Sequence, residues 1–68
     1  MRGKVRNCVE YYRLKKDLTQ EELAKDIGVS RQTIISIEKG NYTPSVYLAL
    51  KIGRVLRLPV EQVFECDE

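Results

Sequence analysis

Residues 18–40 read LTQEELAKDIGVSRQTIISIEKG, and this stretch predicts two short amphipathic helices joined by a tight turn. Thr19 is followed three positions later by Glu22, which is the spacing of a capping box at the start of a helix. The apolar residues that follow recur at helical spacing and define one buried face. Gly28 stands where this helix must end, because glycine adopts the left-handed closing conformation without a Cβ clash.

The second helix of this stretch begins with side chains that form hydrogen bonds. Ser30 is predicted to cap it, and Ile34 and Ile37 mark its buried face. Gly40 ends it with the same chemistry as Gly28. A helix of this kind can place its polar start in the major groove of DNA while its apolar face holds the core. The alternative is a helical hairpin that serves only as a scaffold in a small bundle. The polar run is Ser30, Arg31, Gln32 and Thr33.

The length of the chain bounds its architecture. Its 68 residues make one domain, and so short a chain buries only about 60% of the surface that its unfolded form exposes. Dimerisation would stabilise such a marginal core by burying further apolar surface. The sequence contains no apolar stretch long enough to span a bilayer and no secretory leader, so we expect a cytoplasmic protein without a membrane partner.

The charge distribution is more informative than the net charge of +2. Every charged residue among the last eight is acidic, whereas the rest of the chain carries twelve basic and six acidic residues. A positive body facing phosphates, with an acidic end held away from them, fits this pattern. A solvated surface of mixed charge is the alternative. The acidic residues at the end are Glu61, Glu65, Asp67 and Glu68.

The chemistry of an enzyme is not visible in this sequence. It has no histidine, no glycine-rich phosphate loop and no plausible pair of nucleophile and base, so we expect neither catalysis nor a cofactor. Cys8 and Cys66 lie far apart and form no Cys-x-x-Cys motif, which excludes a structural zinc site. We expect both thiols to be buried and reduced, with a redox pair as the alternative.

The first helix is predicted by a second capping signature, in which Asn7 is followed by Glu10. It leaves the residues before Asn7 outside the helical body. The two ends of the chain, residues 4–6 and residues 64–66, both alternate between polar and apolar side chains. We expect them to pair as short antiparallel strands, and frayed termini are the alternative.

The fourth helix, about residues 46–56, is apolar around most of its circumference. Such a helix is buried on two sides, and in so small a domain the second side needs a partner copy. A last short helix begins at about Pro59, so the predicted dimerisation region is about residues 46–68. Gly53 lowers the helix propensity by about 1 kcal/mol and is expected to permit close packing across the interface. The predicted interface residues are Leu48, Ile52, Val55, Val60, Val63 and Phe64.

The motif from Thr19 to Gly40, followed by Pro44 and Ser45, resembles the Cro/C1-type (XRE) helix-turn-helix family of bacterial, archaeal and phage regulators. The resemblance covers about residues 7–65 and is strongest to short stand-alone members of the cytolysin-operon repressor type. It implies a single domain over the whole chain. Its fold would be all-α, a five-helix lambda-repressor-like DNA-binding domain, with the helix-turn-helix at about residues 20–39.

The resemblance also implies roles for individual residues. The start of the third helix is expected to read base edges, where Arg can chelate guanine and Gln can chelate adenine, each pair giving about 1–3 kcal/mol of discrimination. Arg13 and Glu38 match a partly buried salt bridge between helices one and three. Gln20 would also brace the reading helix. The implied base-reading residues are Arg31, Gln32, Ile35 and Ser36. The implied phosphate contacts are Gln20, Thr33, Asn41 and Tyr42.

Ile35 departs from the family pattern. Many relatives carry a small polar residue where the third helix faces the groove. An exposed isoleucine at this position either contacts a thymine methyl group or shields the edge of the helix, and the sequence leaves both readings open.

These features together predict a sequence-specific regulator of transcription that binds double-stranded DNA. It would act as a repressor, as a homodimer on a palindromic operator, with two reading helices about 34 Å apart. No small-molecule ligand is implied. The alternative is an antitoxin-like protein-interaction module, in which the apolar face of the fourth helix grips a different protein.

Overall fold

The computed structural model describes residues 4–67. Five helices and two strands lie within those residues, as the sequence and its resemblance predict. The helices enclose a single core, and the strands join the two ends of the described chain. In order, the elements are β1 (Lys4–Asn7), α1 (Val9–Lys15), α2 (Gln20–Ile27), α3 (Arg31–Lys39), α4 (Val46–Leu56), α5 (Val60–Val63) and β2 (Phe64–Asp67).

Every helix contributes to the core, which explains how a domain of this size holds together. Half-buried apolar side chains, Tyr12 and Val29 among them, pack around the outside of this core. No helix within residues 4–67 is long and apolar enough to cross a membrane. The buried apolar residues are Val9, Leu23, Ala24, Ile27, Ile34, Ile37, Ile52, Leu56 and Val63.

The turn between α2 and α3 is built as predicted. The capping box is complete, because the Glu22 amide donates to Thr19 Oγ1 at 3.0 Å and the Thr19 amide donates to Glu22 Oε1 at 2.8 Å. Gly28 ends α2 in the left-handed conformation, with φ at +77°. The Thr33 amide then donates to the Ser30 hydroxyl at 3.2 Å, which caps α3. The entry angle of α3 is therefore fixed by local chemistry.

Two helix starts differ slightly from the prediction. Asn7 does not cap α1 directly: its Oδ1 accepts from the Val9 amide at 3.1 Å, while Cys8 occupies the N-cap position without a side-chain bond. Pro59 is the N-cap of α5 and not its first residue. Both shifts amount to one residue, and neither changes the order of the elements.

The two chain ends pair as an antiparallel sheet, which confirms the predicted strands. The register sets Val5 opposite Cys66 and Asn7 opposite Phe64. The Asn7 side chain reaches further, because its Nδ2 donates to the Ile37 carbonyl oxygen at 2.9 Å. The sheet is thereby tied to α3.

The expected role of Gly53 in an interface between copies is wrong. A Cβ atom at this position would lie 2.8 Å from the carbonyl oxygen of Leu58 and 3.7 Å from the amide nitrogen of Val60. Glycine is required here because the segment between α4 and α5 passes directly over α4. The close packing that the glycine permits lies inside the subunit.

The predicted dimer interface also needs correction. Ile52 is 0% exposed and Val63 is 1% exposed, so both belong to the core of the subunit and present no surface to a partner. Leu48, Val55 and Phe64 are half-buried and pack against the same core. The large apolar or aromatic side chains of α4 that face outward are Val46, at 75% exposure, Tyr47, at 68%, and Leu50, at 55%.

The expectation of buried thiols is wrong for Cys8, whose side chain is a free and exposed thiol. Its place at the start of α1, just before the buried Val9, turns it away from the core. The burial expected for Cys66 concerns a side chain outside the part that the structure describes.

Candidate nucleic-acid interface

The orientation of α3 decides which of its side chains can meet a ligand. Ile34 and Ile37 are 0% exposed and point into the core. Each residue advances by about 100° around a helix axis. The direction opposite the two isoleucines therefore falls on Gln32 and Lys39, with Ile35 and Ser36 on either side. We call the surface of α3 that faces away from the core its outer face.

The outer face of α3 is polar and basic. Arg31, Gln32 and Lys39 are exposed, and Ile35 and Ser36 are half-exposed. The only carboxylate that α3 carries, Glu38, has a side chain that is just 4% exposed and turned inward. A surface of this kind attracts phosphates and offers hydrogen bonds, which are the two components of DNA recognition.

A small recess of about 250 Å³ lies beside the start of α3, between the helix and the loop that follows it. Each of the side chains that line it carries a hydroxyl or an amide group. The Ser30 and Thr33 hydroxyls lie 3.0 Å apart and bond to each other, so one hydroxyl hydrogen of the pair is committed there. The structure thus brings together five of the residues for which the resemblance implies DNA contacts. The recess is lined by Ser30, Gln32, Thr33, Ser36, Asn41 and Tyr42.

A groove of about 490 Å³ lies on the other side of the same helix start. It places Gln20, the first residue of α2, in the same lining as Arg31, the first residue of α3. Asp17 and Glu21 line it as well, so the groove carries charges of both signs. All of the residues expected to contact DNA except Ile35 therefore line the recess or the groove beside α3, and none of the full set is buried in the core.

A buried network ties the C-terminal end of α3 to α1 and to the start of α2. Arg13 donates from Nε to Glu38 Oε2 at 2.7 Å and from Nη2 to Glu38 Oε1 at 3.2 Å. A third bond runs from Arg13 Nη1 to the Leu18 carbonyl oxygen at 2.8 Å. Gln20 Nε2 donates to Glu38 Oε1 at 3.0 Å. One carboxylate thus joins α1, α2 and α3, and the predicted pair of Arg13 and Glu38 is present.

The position of Gln20 fits both of its expected roles. Its bond to Glu38 braces α2 against α3. The side-chain amide carries two hydrogens, and the bond to Glu38 uses one of them, so the second remains available to a phosphate oxygen. The bond to Glu38 thus orients the Gln20 side-chain amide and leaves one of its N–H groups free to donate.

Sequence reasoning missed two residues that matter for this site. Lys39 stands on the outer face, seven positions after Gln32, which is two helical turns, and that spacing could have revealed it. Asn7 ties the terminal sheet to α3 through the Ile37 carbonyl. Nothing in the local sequence signals this bond, because it joins residues thirty positions apart.

The helix-turn-helix family model matches residues 9–63. An uncharacterized HTH-type transcriptional regulator from Methanocaldococcus jannaschii is 53% identical over 66 residues, covering 94% of this chain and 100% of that protein. The transcriptional repressor RstR of the cryptic phage CTXphi from Vibrio cholerae is 32% identical over 56 residues, covering 82% of this chain and 50% of that protein.

Solved structures share the fold. A protein from Bacteroides fragilis superposes with a TM-score of 0.82 at 23% identity, covering 90% of this chain and 98% of its own. The restriction-modification controller protein from Aeromonas hydrophila superposes with a TM-score of 0.75 at 28% identity, covering 79% and 82% of the two chains. The chain belongs to the Cro/C1-type (XRE) helix-turn-helix family and is a DNA-binding transcriptional regulator.

Proposed function

We propose that this regulator binds a specific palindromic operator in double-stranded DNA as a homodimer, with α3 in the major groove, and that it represses transcription. The observation that carries the proposal is the outer face of α3. Arg31 and Gln32 stand exposed at its capped start, and the core isoleucines hold the opposite side. In this arrangement the fold fixes the helix and leaves the hydrogen-bonding groups free to read bases.

Each side chain has a role that follows from its chemistry. Arg31 can chelate the O6 and N7 atoms of guanine, and Gln32 can chelate the N6 and N7 atoms of adenine. Ser36 reaches a base edge one turn later. The residues that flank the helix start position the protein on phosphates, and Lys39 joins them because it is exposed at the end of the outer face. The proposed phosphate contacts are Gln20, Thr33, Lys39, Asn41 and Tyr42.

The geometry of the duplex supports the proposed two-fold arrangement. Successive faces of the major groove that point the same way lie about 34 Å apart, and one subunit measures 36 × 22 × 19 Å. Two subunits side by side can therefore present their α3 helices at this spacing. The contact would run along α4 and α5, where Val46 and Leu50 are exposed and Val60 is half-exposed. A dimer bound at a promoter would exclude polymerase, and RstR, a relative of this chain, is a transcriptional repressor.

The test is selection of bound duplexes from a random pool at fixed salt, followed by measurement of binding affinity for single-residue variants. We expect an inverted repeat with half-sites about one helical turn apart. Arg31→Ala should relax the preference at one base pair by about 1–3 kcal/mol. Lys39→Ala should weaken binding to all sequences alike. It should also reduce the slope of the logarithm of the binding constant against the logarithm of the salt concentration by about 1.

Lys25→Ala is the matched control, because Lys25 is an exposed lysine at the end of α2 that lines neither the recess nor the groove beside α3. It should leave affinity, salt dependence and sequence preference nearly unchanged. A pool that yields no enriched sequence, or an Arg31→Ala variant with the preferences of the parent protein, would show that α3 does not read operator bases.

A further inference from the structure

Ile35 is an aliphatic side chain on a surface otherwise made of hydrogen-bonding and charged groups. It lies on the outer face of α3 and is only half-buried. Arg31 precedes it by one turn and Lys39 follows it by one turn, so both are its neighbours on the helix surface. It is not one of the half-buried apolar side chains that pack against the core in the described part of the chain. Core packing therefore does not account for an isoleucine here.

The chemistry of the major groove offers one apolar group to such a side chain. Guanine, cytosine and adenine present donors and acceptors at their edges, whereas thymine also presents its C5 methyl group. We propose that Ile35 packs against a thymine methyl group in each half-site of the operator and so selects thymine there. This inference rests on the proposed function, because it requires α3 to lie in the major groove.

The position of that thymine follows from the helix geometry. Arg31 and Ile35 are four residues apart, which is about 6 Å along the axis of α3. Base pairs along the duplex are stacked about 3.4 Å apart. The thymine read by Ile35 should therefore lie one or two base pairs from the base pair that Arg31 contacts.

The experiment starts from the duplex that the selection yields and replaces its thymines by deoxyuridine, one position at a time and in both half-sites together. The change removes the methyl group and leaves the base-pairing edge intact. Dissociation constants are measured by fluorescence anisotropy at fixed salt. One methyl group buried per half-site predicts about a fourfold loss at each, and thus about a fifteenfold loss when both are changed.

Two variants assign the effect to this side chain. Ile35→Ala should lose most of the discrimination between the thymine and deoxyuridine duplexes, because its single methyl group is shorter than the isoleucine side chain and covers less of the thymine methyl group. Ile35→Val is the matched control and should retain most of the discrimination. Circular dichroism of each variant checks that it is folded. The loss of affinity on replacing thymine by deoxyuridine is measured on the parent protein, so it does not depend on the folding of any variant.

Three results overturn the inference. Selected duplexes without a thymine near the Arg31 contact would do so, and so would a parent protein that tolerates deoxyuridine at every thymine. An Ile35→Ala variant that keeps the full penalty would assign the methyl contact to another residue. All three leave the proposed function standing, since an operator is still bound. A pool without any enriched sequence refutes the proposed function and this inference together.

Discussion

Glu38 is the residue on which three helices converge. It accepts hydrogen bonds from Arg13 of α1 and from Gln20 of α2, and its own side chain is 4% exposed. Replacing it by alanine leaves the guanidinium of Arg13, a residue 6% exposed, without a counter-charge. We expect Glu38→Ala to lower the free energy of unfolding by about 3–5 kcal/mol, as measured by urea denaturation.

A double variant separates the charge effect from simple loss of packing. Arg13→Met combined with Glu38→Leu removes both charges and fills a similar volume. It should recover most of the stability that Glu38→Ala loses, because no buried charge is left unpaired. If the double variant were as unstable as the single one, the buried ion pair would not be the cause.

Gly53 provides a second test at this scale, in which two effects oppose each other. Alanine in place of a helical glycine gains about 1 kcal/mol of helix propensity. Its Cβ would meet the Leu58 carbonyl oxygen at 2.8 Å, a backbone atom that can move only with the whole connection between α4 and α5. We expect the clash to dominate, so that Gly53→Ala lowers the unfolding free energy by about 1–3 kcal/mol, measured by thermal and urea denaturation. Arg54→Ala, an exposed change on the same helix, should be nearly neutral, and a stabilised Gly53→Ala would contradict the prediction.

These residues mark how far sequence reasoning reaches. The pairing of Arg13 with Glu38 could be predicted because the resemblance supplies it, although the residues are 25 positions apart. The propensity cost of Gly53 could be read from the sequence, but the backbone that passes over it could not, because the contact depends on the path of the chain after α4. The bond from Asn7 to the Ile37 carbonyl is hidden for the same reason.

At the level of elements, the helix caps are stabilising contacts between residues that are close in sequence, and the capping box of α2 joins residues only three positions apart. Thr19→Ala removes the hydroxyl that accepts from the Glu22 amide and should lower the unfolding free energy by about 1 kcal/mol. Glu22→Gln should be nearly neutral, because an amide oxygen can still accept from the Thr19 amide. Urea denaturation of the two variants compares them directly. A loss for Glu22→Gln as large as that for Thr19→Ala would mean that the charge of Glu22 at the helix start, in addition to the hydrogen bonds, stabilises this end of α2.

The elements themselves were predictable wherever the chemistry is local. The glycines at positions 28 and 40, with φ at +77° and +82°, end α2 and α3 where the sequence places their ends. Apolar residues at helical spacing form two stripes along α4, one that contains Leu48 and Val55 and one that contains Val46 and Leu50, and local chemistry does not decide which stripe packs against the core. Leu48 and Val55 pack against the core, while Val46 and Leu50 remain exposed, because α1 and α2 pack on the side of α4 that carries Leu48 and Val55. Both stripes have helical spacing, so periodicity alone cannot rank them.

At the scale of the whole molecule, the exposed stripe of α4 is continuous with a recess. The recess has a volume of about 520 Å³, and Leu50 stands at its edge. An apolar ridge beside a recess suits a two-fold contact, in which the same surface must fit itself. Arg57 and Val60 also line the recess. A dimer formed here buries the apolar surface that a subunit of this size exposes on α4.

Leu50→Glu tests this arrangement. The symmetry of a dimer places two copies of Leu50 in the contact, and burying a leucine contributes about 1.5–3 kcal/mol, so the dimer dissociation constant should rise by about a hundredfold or more. Sedimentation equilibrium of the parent protein and the variant measures it. Leu14→Glu on α1 is the matched control, since Leu14 is 59% exposed and Leu50 is 55% exposed. Loss of the dimer in the Leu14→Glu variant would indicate that the interface lies on α1 and not on α4. A parent protein that is monomeric at all concentrations would instead favour a different protein as the partner of the α4 face, since dimer formation must depend on concentration.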